Sequence, residues 1–72
     1  MSFHVYKKIE LVGSSNTSIE DAIKNAIEVA SRSVDKIDWF EVVETRGEVK
    51  DGSVTYYQVT IRVGFRLNEE AG

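Results

Sequence analysis

The 72-residue sequence has no cysteine and no proline, one histidine and one tryptophan. Without cysteine, the disulfides and thiolate-bound metals that staple most very small proteins are excluded. A chain this short also buries a smaller fraction of its surface than a typical domain, so a core built from one copy is marginal. Self-association is the remaining support. The chain is therefore expected to form one domain over residues 1–72 within an obligate homo-oligomer.

Long apolar runs are missing as well. No stretch approaches membrane-spanning length, and Met1-Ser2-Phe3-His4-Val5-Tyr6-Lys7-Lys8 lacks the apolar centre of a signal peptide. A soluble, cytoplasmic protein without a membrane partner is expected. Nine Lys and Arg stand against twelve Asp and Glu, for a net charge of −3 with the signs mixed along the chain. No basic stripe is available to neutralise a phosphate backbone, so nucleic acid is not an expected partner. His4 has neither a cysteine nor a paired carboxylate near it and reads as a surface residue rather than a metal ligand. Gly13-Ser14-Ser15 lacks the further glycines and the lysine of a phosphate-cradling loop, and nothing nucleophilic has a base at suggestive spacing. No catalytic or metal site is expected.

What the sequence does contain is material for an ordered fold, with 42% hydrophobic residues and only five glycines. From Phe3 to Val12 the residues alternate: Phe3, Val5, Ile9 and Leu11 on one side, His4, Tyr6, Lys8 and Glu10 on the other, as in a half-buried strand. Lys7 interrupts the apolar side, which suits a sheet edge. Gly13-Ser14-Ser15-Asn16 reads as a loop. Thr17 with Glu20, and Ser18 with Asp21, are overlapping helix-capping signals. Behind them Ile19, Ala22, Ile23, Ala26, Ile27, Ala30 and Val34 form one helical stripe whose alanines permit close approach to a sheet. A second strand begins near Trp39. Asp51-Gly52 then predicts a tight two-residue hairpin turn. The last strand is the clearest, with Tyr57, Val59, Ile61, Val63, Phe65 and Leu67 on one face and Tyr56, Gln58, Thr60, Arg62, Gly64 and Arg66 on the other. Residues 68–72 read as a frayed tail. The order β-α-β-β predicts an α+β fold, an antiparallel three-stranded sheet with one helix packed across it.

The hairpin turn also predicts a register. With Asp51 and Gly52 at its centre, Lys50 faces Ser53, Val42 faces Ile61 and Phe40 faces Val63, which places Phe40 in the core beneath the helix. On the other face Glu41 meets Arg62 and Trp39 meets Gly64, a glycine that leaves open surface beside the indole. Trp39 then shares its face with Thr45, Gln58, Thr60 and Arg62. Glu44 and Arg46 fall on the nominal core side, pointing to a bulge or to a strand that outruns the helix. Gln58 lies about 20 Å along the strand from Gly64 at roughly 3.3 Å per residue, too far for one small planar molecule to touch Trp39 and Gln58 within a chain. A site that uses both lies between chains. Two readings of Trp39 stand on these grounds: an anchor in a subunit interface, where aromatic residues are enriched, or a stacking plate for a flat ligand.

Three segments carry a resemblance to a known family: Tyr6-Lys7-Lys8-Ile9-Glu10-Leu11-Val12-Gly13, Asp38-Trp39-Phe40-Glu41-Val42 followed by Arg46-Gly47, and Gln58-Val59 with Val63-Gly64-Phe65-Arg66-Leu67. Together they resemble the dodecins, small flavin-binding proteins of bacteria and archaea, over nearly the whole chain. The resemblance implies a three-stranded antiparallel sheet curled around one helix and assembly into a hollow dodecamer. It implies flavins held in pairs at subunit interfaces, sandwiched between two tryptophans at the position of Trp39. Gln58 matches a glutamine that hydrogen-bonds the polar end of the flavin ring, to which an amide with both donor and acceptor is suited. Arg46 matches a variable position near the ligand and suits the phosphate of FMN. Some bacterial relatives also bind coenzyme A, for which Arg66 and Lys7 are the candidates. The implied function is storage and photoprotective sequestration of FMN, riboflavin or lumichrome, without catalysis. The competing readings are a purely structural oligomer or interaction module and, further off, a flavoenzyme.

Overall fold

The computed structural model describes residues 3–67, so the tail expected at residues 68–72 lies outside the described residues. Four elements follow in order: β1 (Tyr6–Ser15), α1 (Ile19–Ala30), β2 (Ile37–Lys50) and β3 (Ser53–Arg66). The strands form one antiparallel sheet in the order β1-β3-β2, so the most regularly alternating strand is the central one. Asp51 and Gly52 both take positive φ, 53° and 78°, as a two-residue hairpin turn with the twist of its flanking strands requires.

Two boundaries differ from the sequence pattern. β1 begins at Tyr6 and continues through Ser15, so Gly13, Ser14 and Ser15 are strand residues paired with Val59, Gln58 and Tyr57. Their small size serves packing and capping instead of a turn. A Cβ on Gly13 would run into the Ala22 carbonyl oxygen and the Ala26 methyl group, so this glycine is where the helix crosses the strand. Ser15 Oγ accepts the Thr17 N–H at 2.9 Å and donates to Asp21 Oδ2 at 2.7 Å. Of the two capping signals, Ser18 is the one used, its hydroxyl accepting from the Asp21 N–H at 3.0 Å. The helix also stops a turn early. The Ser31 and Val34 N–H groups close on the Ile27 and Ala30 carbonyls, and Lys36 at φ 55° turns the chain into β2. Val34 is thus half-buried in the connection rather than on the helix.

The core is thin. Ala22 and Ala26 lie on Val59, Ile61 and Val63, flanked by Ile9, Leu11, Ile23, Ile27 and Ile37. None of the aromatic side chains among the described residues is fully buried. The cause is geometric: α1 packs on β1 and β3, and a helix about 10 Å across spans only about two strands spaced about 4.8 Å apart. The sheet therefore stays open on the β2 side instead of curling round the helix. Phe40, expected in the core, is 44% exposed and Val42 is 46% exposed, although both lie on the helix side of the sheet. The radius of gyration, 15.3 Å, exceeds the roughly 11 Å of a compact chain of this length.

The Gly13 crossing gives a stability prediction. Gly13→Ala pushes a methyl group into helix backbone rather than into a side chain that can swing aside, and is expected to cost about 1–3 kcal/mol. Urea unfolding at fixed protomer concentration measures it, and an unchanged midpoint would contradict the close approach.

Candidate ligand-stacking site

Regular pairing with β3 through Phe40 and Glu41 sends Trp39 to the outer face, and a bulge just before it turns Ile37 the other way. Ile37 pairs with Phe65 on the helix face, whereas Trp39, two residues later, pairs with Gly64 on the outer face, because Asp38 is an extra residue between the two pairs. Simple alternation would send Ile37 and Trp39 to the same side, and the inserted residue re-aims Ile37 toward the helix. Ile37 joins the core and Trp39 leaves it.

The open surface expected beside Gly64 is filled by the indole itself. A Cβ on Gly64 would overlap Cζ2, Cε2 and Cη2 of Trp39, all at nearly the same distance. Three adjacent ring atoms equidistant from one point place that point over the face of the ring; an approach in the ring plane would leave the outer two atoms distinctly farther away. The indole therefore lies flat on β3 with one face against Gly64. It remains 37% exposed. Tyr6, on β1, meets it edge-on, with ring centroids 5.3 Å apart and planes inclined at 64°.

A charged lattice adjoins the indole on the same face, with Lys8 in the row of Gly64 and Trp39 and with Glu10, Arg62 and Glu41 in the next. Lys8 Nζ donates to Glu41 Oε2 at 3.0 Å and Arg62 Nε to Glu10 Oε1 at 3.0 Å, while Arg62 Nη1 lies 3.7 Å from Glu41 Oε2. The Glu41–Arg62 pairing expected from the turn is present and extends across all three strands. These side chains are roughly half exposed, so each pair contributes at most about 1 kcal/mol. Their geometric effect is larger, since two acids and two bases are engaged with one another beside the indole.

Gln58 and Arg46 are directly opposite one another. The turn-derived register did not anticipate this. An extra residue on β3 at Thr55 and another on β2 at Val43 shift the pairing one way and then back. Between the two irregularities Arg46 and Glu44 move to the outer face, paired with Gln58 and Thr60, while Thr45 pairs with Val59 on the helix face rather than sharing the face of Trp39. Beyond them the Trp39–Gly64 pairing is restored. Gln58 also lines a polar cleft of about 380 Å³ with Ser14, Asn16, Asp21 and Asn25, and Trp39 is not part of it. The structure thus brings Arg46 and Gln58 together and leaves Trp39 at the far end of β3. Lys7 and Arg66 separate: Lys7 pairs with Phe65 on the helix side and Arg66 with Tyr6 on the outer side.

Sequence reasoning placed Tyr6 on the correct face but did not connect it with Trp39. The hairpin turn fixes β2 against β3, whereas no turn joins β1 to β3, so only the structure shows that Lys8 is the residue across Gly64 from Trp39 and that Tyr6, paired with Arg66, reaches the indole diagonally.

The fold and this face define a class of protein: a small β-α-β-β unit whose aromatic and apolar surface is left for neighbours to cover. The family model Dodecin matches residues 5–68, and the chain belongs to the dodecin family. It is 49% identical over 65 residues to the dodecin of Thermus thermophilus, covering 90% of this chain and 94% of that one. It is also similar to the solved dodecin from Streptomyces davaonensis, with a TM-score of 0.87 and 47% identity over 94% of this chain and 100% of that chain. Calcium dodecin from Mycobacterium tuberculosis is more distant, with a TM-score of 0.76 and 33% identity over 94% of this chain and 97% of that chain.

The flat seat is directly testable. Gly64→Ala is expected to evict the indole, a rotatable group, while sparing the backbone, so far-ultraviolet circular dichroism stays constant and Trp39 emission shifts to the red. An unshifted emission maximum would mean that the indole does not rest on Gly64.

Proposed function

We propose that this dodecin stores flavin: its copies assemble as a hollow dodecamer and keep FMN, riboflavin or lumichrome stacked against Trp39 at subunit interfaces. The observation that carries this is the seat of Trp39. One indole face rests on Gly64, the other faces outward, and the pairing with Gly64 on the side away from the helix excludes a core-forming role. A flat plate with one free face fits a flat aromatic ligand whose second face is covered from another chain.

Bound flavin supplies a planar, light-absorbing ring. Trp39 adds affinity by removing flat aromatic surface from water. Held against the ring, its indole would also serve as the electron donor that quenches the excited flavin reversibly, which would limit formation of reactive oxygen. Gln58 offers donor and acceptor to the polar ring edge, and Arg46, opposite it and exposed, offers a cation to the phosphate of FMN. Because Gln58 and Trp39 are about 20 Å apart along β3, they serve one ligand only when they come from different chains. A ring covered on both faces leaves no room for a second substrate, so the proposal is binding without turnover. Coenzyme A at Lys7 and Arg66 is not part of it, since these side chains leave opposite faces of the sheet. The name of the Mycobacterium relative raises calcium, but here Glu10 and Glu41 are engaged by Arg62 and Lys8.

Riboflavin emission is expected to fall steeply on titration with the protein. With Trp39→Ala, at an assembly size matched by light scattering, it is expected to remain. Unquenched emission at saturating wild-type protein would favour Trp39 as a mere interface anchor. Arg46→Ala is expected to weaken FMN by about tenfold, the size of one charge-assisted hydrogen bond, and to leave riboflavin affinity unchanged. Equal losses for both ligands would remove the phosphate role.

A further inference from the structure

We infer that Tyr6 is a positioning residue for the stacking face of Trp39, holding the indole flat on Gly64 before any ligand arrives. The ligand part of this inference rests on the flavin reading above; the positional part does not.

Gly64 explains how the indole can lie down, but not why it stays down. A glycine offers one backbone surface and no side chain to lean on. The indole is more than a third exposed, so its own burial holds it weakly and other rotamers that extend into water compete with the flat one. Tyr6 is the aromatic side chain packed against it, edge-on at 5.3 Å and 64°. This inclined arrangement directs the positive edge of one ring toward the negative face of the other.

Tyr6 is well fixed for that task. Its residue pairs with Arg66 in the β1–β3 ladder, and the Leu67 N–H donates to the Val5 carbonyl at 2.8 Å just beyond it. The backbone is thereby held on both sides, and only the ring torsions are free. On the other side, the Lys8–Glu41 bridge crosses β3 diagonally, from Lys8 in the indole's own row to Glu41 in the next. Trp39 thus lies between Tyr6 and a charged pair, with Gly64 beneath and one face open. An indole already flat gives up less freedom when a ligand stacks on it, so pre-positioning appears as affinity. The hydroxyl group has no part in this, and among the described residues no hydrogen bond from it is seen.

The single tryptophan makes the test unambiguous. Time-resolved anisotropy of Trp39 emission in the ligand-free assembly reports indole mobility, and riboflavin titration reports affinity. Tyr6→Phe keeps the aromatic edge and is expected to match the wild type in both. Tyr6→Leu is expected to add a fast local component to the anisotropy decay and to raise the riboflavin Kd about tenfold, near the upper end for an aromatic pair. Tyr6→Val, a better strand former, serves if the leucine variant does not assemble. An aliphatic variant with wild-type anisotropy would overturn the inference, as would a Tyr6→Phe variant that loses as much as Tyr6→Leu. If the wild type does not bind riboflavin, the storage proposal fails, while the anisotropy still decides whether Tyr6 holds the indole.

Discussion

A twelve-residue helix can shield about two strands of a sheet, and this chain has three. Much else follows from that mismatch. Alanines bring α1 down onto β1 and β3, where Gly13 admits it, and the core that results consists of aliphatic side chains and methyl groups. Phe40 and Val42 remain on the uncovered part of the same face, and the hairpin arm carries Val49 and Val54 outward, both exposed. Burying such surface is worth about 25 cal/mol per Å², and one chain has nothing left to bury it with. A partner copy is the natural source of cover.

The same economy shapes the outer face. Each feature there is a small backbone adjustment with a large effect on side-chain direction. Asp38 as an extra residue turns Ile37 into the core while Trp39 stays on the outer face, and Gly64 lets its ring lie against the sheet. The irregularities at Val43 and Thr55 bring Arg46 opposite Gln58. A stacking plate at one end of β3 and a polar pair near the other make sense, on the proposed function, as halves of a site completed by a neighbouring chain. Under that proposal stability and ligand binding share one requirement, which is assembly.

Much of this was legible in the residues. The unbroken alternation of β3 and the Asp51-Gly52 turn fixed the hairpin, because turn chemistry and the period of two are local properties. The Trp39–Gly64 pairing followed from the turn only because Thr55 and Val43 offset one another. Between them the same reasoning put Thr45 on the wrong face and left Arg46 on the core side. Bulges carry little sequence signal, and one residue inverts everything beyond it. Gly13 and Ser15 looked like a loop because close packing, capping and turning all favour small residues. Phe40 was assigned to the core because alternation names a face but not what covers it. Tyr6 was missed as a partner of Trp39 because contacts between β1 and β3 depend on tertiary register. The family resemblance carried the ligand chemistry, which periodicity and charge alone left open between an interface anchor and a stacking plate.

On the proposed function, the ligand site exists only between chains. A crystal structure of the assembled protein saturated with FMN tests it most directly. The expected result is a flavin stacked on Trp39 of one chain with its second face covered by, and its polar edge bonded to Gln58 of, other chains. Flavin enclosed by a single chain, or bound away from Trp39, would contradict it.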